Sequence, residues 1–134
     1  MQRPVAMSVF ALAVGLCFSP AAQAQPLTAS ELVAMANNKT VYFEFAGSPM
    51  TGTGSGVIYT AADGKVSAKF PNGKAGKGTR SIKDNTTCIT WEGQPPQPCS
   101  RHVKEGDKIK SFNAENGQLR GTITKVVDGN PEKL

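Results

Sequence analysis

From Thr40 to Val127 the chain is cut into short stretches by turn-forming groups: Asp63-Gly64, Pro71-Asn72-Gly73, Asp84-Asn85, Gly106-Asp107 and Asn116-Gly117. Turns this close together leave no room for the crossover helices that parallel strands need. Each strand must therefore turn back beside the one before it. The stretches themselves have a period of two. In residues 40–46, Val41, Phe43 and Phe45 alternate with Tyr42 and Glu44. In residues 65–70, Val66, Ala68 and Phe70 alternate with Lys65, Ser67 and Lys69. Residues 56–60, 79–83, 86–92, 100–104, 108–113 and 118–127 complete the set of strand candidates. The pattern predicts a mainly β domain: an antiparallel meander of about eight strands, either a curled sheet or a small up-and-down barrel.

One short helix precedes the strands. Thr28 and Glu31 stand at the spacing of a capping box, and Leu27 and Leu32 at that of a hydrophobic staple. Leu32, Val33, Met35 and Ala36 supply an apolar face that Asn37-Asn38 ends. A helix of two or three turns is not stable alone, so it must be held by packing, and a lid over the sheet is the natural place for it.

The first residues have a different character. Arg3 is followed by an apolar stretch, residues 5–18, and then by a small and polar segment that ends in Ala22-Gln23-Ala24. That is the layout of a secretory signal peptide, residues 1–24, cleaved after Ala24. The apolar run is too short for a bilayer span, which takes about 20 residues, and no later stretch is apolar enough. Cys17, between Leu16 and Phe18, reads as a small apolar residue lost with the leader and not as a lipid attachment point. Residues 25–134 are then a single β-rich domain, periplasmic or secreted, with no transmembrane anchor.

Cys88 and Cys99 form an even pair in an exported chain, which predicts a disulfide. A metal site built on Cys88, Cys99 and His102 is the rival reading, but it lacks a fourth ligand, so no metal is expected. The bridge would close a short loop and contribute about 2–3 kcal/mol. Pro95, Pro96 and Pro98 stiffen that loop. Gln94, Pro95, Pro96 and Gln97 would serve as a partner-binding loop or, more plainly, as a protease-resistant connector.

The chain has 15 basic and 10 acidic residues, a net charge of +5, which favours anionic partners only modestly. Lys74, Lys77 and Arg80 lie in a glycine-lysine stretch that offers an anion-binding loop, or else a flexible solvated hairpin. It is not a phosphate loop, because Gly78 runs into Thr79 and a strand rather than a helix. Residues 51–56 have glycine at every second position, suited either to a bare strand face or to a flexible loop. The catalytic inventory is thin. His102 is the single histidine, set between Arg101 and Lys104, which would lower its pKa, and no nucleophile motif accompanies it. No enzyme activity and no cofactor are expected. Phe43, Phe45 and Phe70 are on core faces, so a base-stacking platform is not expected, and export fits poorly with nucleic acid. Trp91, three residues after Cys88, is expected beside the disulfide. Asn38-Lys39-Thr40 and Asn85-Thr86-Thr87 match the glycosylation pattern, which carries no weight behind a leader of bacterial type.

The order Tyr59, Asp63-Gly64-Lys65-Val66, Gly78-Thr79, Cys88-Ile89-Thr90-Trp91, Cys99, Gly106-Asp107 and Gly129-Asn130-Pro131 resembles a family of small exported proteobacterial proteins of unknown function. The resemblance runs from about Leu32 to Leu134. It departs at Arg80, where the pattern has tryptophan. The run from Gly78 to Cys88 is also similar to the eight-stranded barrel inhibitors of secreted metalloproteases. The first resemblance implies a periplasmic β-domain with one disulfide and no assigned activity. The expected function is a non-enzymatic periplasmic binding or envelope-accessory protein acting on a small ligand or a periplasmic protein. The alternative is an inhibitor of an exported hydrolase working through loop 92–98.

Overall fold

The computed structural model describes Gly15 and residues 24–134. The expected leader falls almost wholly outside these residues. The described chain runs β1 (Gln25–Pro26), α1 (Ala29–Ala36), β2 (Lys39–Phe45), β3 (Gly54–Thr60), β4 (Lys65–Lys69), β5 (Ala75–Lys83), β6 (Thr86–Trp91), β7 (Ser100–Glu105), β8 (Lys108–Asn113) and β9 (Leu119–Asp128). Each strand from β2 to β9 pairs antiparallel with the next, and β9 returns to pair with β2. Of the two forms expected, the curled sheet and the barrel, the chain adopts the closed eight-stranded barrel, which leaves no free sheet edge along most of its wall.

The up-and-down order sends successive connections to opposite ends. The β2–β3, β4–β5, β6–β7 and β8–β9 loops share one end, and the β3–β4, β5–β6 and β7–β8 turns share the other. Helix α1 closes the latter end. Its capping box is formed as expected, with the Glu31 N–H donating to the Thr28 hydroxyl and the Thr28 N–H to the Glu31 carboxylate, both at 3.3 Å. Leu27 and Leu32 are buried, and the helix packs against β2, β5 and β6. The Ala29 N–H, free at the start of the helix, donates to Asn85 Oδ1 in the β5–β6 turn at 2.9 Å.

Strand β5 begins at Ala75, four residues before the expected start at Thr79, so the glycine-lysine stretch beyond the turn residues Gly73 and Lys74 is strand and not a flexible loop. The physical reason is close packing. A β-carbon at Gly76 would come within 2.6 Å of the Phe70 ring and 3.0 Å of Trp91. Glycine here makes room for rings rather than for motion. Gly56 does the same for Phe45. Four rings then form a chain of edge-on contacts: Phe43 to Phe45 at 4.6 Å, Phe45 to Phe70 at 5.7 Å and Phe70 to Trp91 at 5.2 Å. Around them Val41, Ile58, Val66, Ala68 and Ile123 complete the apolar core.

The wall has one weak seam. Strands β6 and β7 share a single paired position, Thr87 with Ser100. Further along β7, β1 takes the vacant edge, pairing with Val103 and Lys104, and the Leu27 N–H donates to the His102 carbonyl at 2.9 Å. The expected disulfide joins Cys88 to Cys99 beside this seam. Trp91 does not sit beside it. Alternation along β6 turns Trp91 inward with Thr87 and Ile89, while Cys88 faces the other way. No helix among the described residues is long and apolar enough to cross a membrane.

Candidate binding site

The barrel is not filled. Its interior holds a cavity of about 280 Å³, close to the lower end of ligand-site volumes, roughly 300–1,000 Å³. Met35 of α1 closes it at one end, and Ser48, Met50, Gln97 and Gln118 border it from the loops at the other. The two sides of the lining differ in kind. Strands β2 to β4, with Trp91, present the ring chain and aliphatic side chains. Strands β5 to β9 contribute Arg80, Thr87, Ser100, His102, Ser111 and Arg120. Among the described residues no aspartate or glutamate lines the cavity.

Alternation along β5 points Arg80 inward, in line with Gly76 and Gly78. Its Nε and Nη1 are shut off from solvent and have no hydrogen-bond partner. Burial alone lowers the Arg80 pKa to about 10, so the guanidinium remains a cation at neutral pH. Arg120 reaches the cavity by a different device. The register of β8 against β9 shifts between Ser111, opposite Gly121, and Phe112, opposite Leu119, and Arg120 is the residue passed over. Such a bulge re-aims a side chain. Arg120 Nη1 donates to Ser100 Oγ at 2.8 Å.

His102 is buried on β7, and its Nδ1 has no partner. Its pKa is lowered to about 4, first by burial and then by the charges of Arg80 and Arg120. The sequence neighbours Arg101 and Lys104 are not the cause, because the cations that matter come from strands across the barrel. At neutral pH the ring is uncharged. Thr87 Oγ1 is likewise buried without a partner. Among the described residues the interior therefore presents two cations outside any ion pair, Arg80 and Arg120, and several unused neutral polar groups beside an apolar wall. Unsatisfied polar groups cost free energy when buried, and a bound ligand of matching chemistry recovers it.

The structure does not bring together the three basic residues read as an anion loop. Lys74 is exposed in the β4–β5 turn, Lys77 is exposed on the outer face of β5, and Arg80 alone enters the barrel. Of the proposed partner-binding loop, Gln94, Pro95 and Pro96 are exposed at the open end, while Gln97 also borders the cavity. Cys88 and Cys99 are consumed by their bridge, which removes them from any set with His102. Among the described residues no group of three His, Cys, Asp or Glu side chains could hold a metal ion. Ser111 and Arg120 escaped the sequence reading. Ser111 fits the inward alternation of its strand, but only the bulge puts Arg120 inside. Comparison of the chain with protein-family models, curated proteins and solved structures found no match.

Proposed function

We propose that this chain is a non-enzymatic binding protein of the bacterial envelope, exported and disulfide-bonded, whose ligand site is the inside of the barrel. The observation that carries the reading is the cavity itself, with an aromatic wall on one side and unpartnered polar groups of Arg80, Thr87 and His102 on the other. A barrel that only had to be stable would fill such a space with side chains. Here small polar residues leave it open. Catalysis finds less support. His102 is uncharged at neutral pH and its Nδ1 is hydrogen-bonded to none of the serines that share the cavity, Ser48, Ser100 and Ser111, so no activated nucleophile is formed among the described residues.

Native mass spectrometry of protein purified from the periplasm tests this reading. The expected result is a small added mass that disappears on denaturation and is absent from the cavity-filling variant Ser111→Phe. An unmodified mass in both, together with Trp91 emission that no member of a panel of small aliphatic and aromatic compounds perturbs, would falsify it.

The inhibitor reading keeps one specific observation in its favour. Residues 92–97 are all exposed, and the disulfide ties the base of their loop. Replacing Gln94, Pro95 and Pro96 with a Gly-Ser-Gly linker separates the two. It abolishes inhibition of an exported hydrolase under that reading and leaves interior binding in place under the first.

A further inference from the structure

Resting on the reading of the barrel interior as a ligand site, we infer that its ligand is a small amphipathic monoanion, whose charged head meets Arg80 and whose apolar body lies along Phe45, Phe70 and Trp91. Four observations converge on this class. Arg80 lines the cavity and brings a full positive charge to it, and its Nε and Nη1, shut off from solvent, have no partner among the described residues. No carboxylate in the lining neutralises that charge. A half-buried cation with unpartnered, desolvated nitrogens costs free energy, and an anion relieves it. The geometry of the guanidinium also suits a planar, two-oxygen head such as a carboxylate, which accepts two parallel hydrogen bonds.

The charge balance argues for one negative charge and not two. Arg120 is partly solvated, already donates to Ser100 and feels the attraction of Glu115 from the β8–β9 loop. His102 is neutral. That leaves Arg80 as the lining cation whose buried nitrogens lack a partner among the described residues. Neutral donors and acceptors around it, the hydroxyls of Thr87 and Ser111 and the imidazole of His102, can bind the remaining lone pairs of the head. The opposite wall decides the rest of the molecule. Its edge-on rings offer mainly apolar contact, the Trp91 indole N–H being their one polar group, for an extended or flat body, so a wholly polar anion such as inorganic phosphate would leave them uncovered. The cavity of about 280 Å³ limits that body to the size of a medium-chain acid.

Trp91 is the chain's single tryptophan and lines the cavity, so its emission reports occupancy directly. The experiment titrates purified protein and the Arg80→Met variant with decanoate, decanol and decylamine. The parent protein is expected to bind decanoate roughly ten- to hundred-fold more tightly than decanol, the usual worth of a buried charge-assisted hydrogen bond, and decylamine least of all. Arg80→Met should lose that preference while its decanol affinity stays within about two-fold, which shows that the cavity is intact. Equal affinity of the parent for decanoate and decanol overturns the anionic class and leaves the interior site standing. A preference for decanoate that survives in Arg80→Met overturns the role of Arg80. If none of the three compounds alters Trp91 emission, the interior site fails, and this inference fails with it. Should the variant not fold, the comparison between decanoate and decanol on the parent protein carries the test.

Discussion

Two walls of one barrel, built from strands of the same alternation, differ in chemistry inside. From β2 to β4 the inward positions include Val41, Phe43 and Phe45, then Gly56, Ile58 and the single polar residue Thr60, then Val66 and Ala68, with Phe70 just beyond β4. From β5 to β8 they include Arg80, Thr87, Ser100, His102 and Ser111. The first wall removes apolar surface from water and fits rings against glycines, which is what holds a domain together. The second buries groups that destabilise the fold unless something binds them. Under the proposed function, the difference separates the part of the interior that makes the protein stable from the part that would make it selective. Natural proteins commonly give up stability at binding sites in this way.

The sharpest way to break the comparison is to cut the apolar wall. Phe70→Ala removes the ring that links Phe45 to Trp91 and leaves a hole beside Ile58, Val66 and Ala68. A loss of about 3–5 kcal/mol in urea unfolding is expected. A loss below about 1 kcal/mol would mean that the ring chain does not carry the stability assigned to it.

Acid should attack the other wall. The folded state holds the His102 pKa near 4, below its ordinary value of 6.5, so between these values the unfolded chain binds the extra proton. Stability from this group is therefore fully present above about pH 6.5 and lost as the pH falls towards 4, by on the order of 3 kcal/mol in all. Carboxylates titrate in part of the same window, so the measurement is the difference between the protein and His102→Gln. The variant should show a flatter fall in stability across pH 6.5 to 4. Parallel curves would show that the imidazole does not resist protonation inside the barrel.

The smallest effect has the opposite sign and sharpens the contrast most. Arg80→Met replaces a half-buried cation, two of whose nitrogens lack a partner among the described residues, with an apolar side chain of similar length. In the absence of ligand it should stabilise the fold by about 1–2 kcal/mol, seen as a higher urea midpoint at unchanged slope. A destabilised variant would mean that Arg80 belongs to the structural wall after all.

Much of the fold was legible in the sequence because its signals are local. The capping residues Thr28 and Glu31 act over three positions, the turn pairs over two, and the alternation of Val66, Ala68 and Phe70 over a single strand. The start of β5 was not legible, since Gly76 and Gly78 have no side chains to continue an alternating pattern, and the rings that require them come from Phe70 and Trp91. The candidate site was less legible still. Arg80 stood out as a cation, but in company with Lys74 and Lys77, which face solvent. His102 was visible as a lone strand histidine, with its electrostatics ascribed to the wrong neighbours.

The sequence by itself determined the antiparallel strand order, the capped helix and the pairing of Cys88 with Cys99, because turn chemistry, period and cysteine count act on short stretches of chain. Only the tertiary structure decided that the sheet closes, with β9 returning to β2 across some eighty residues. It also decided that a one-residue slip against β8 places Arg120 in the cavity. Closure and register depend on how strands far apart in the chain meet. An arginine on a strand has the same sequence signature whether its side chain ends in water or inside a barrel.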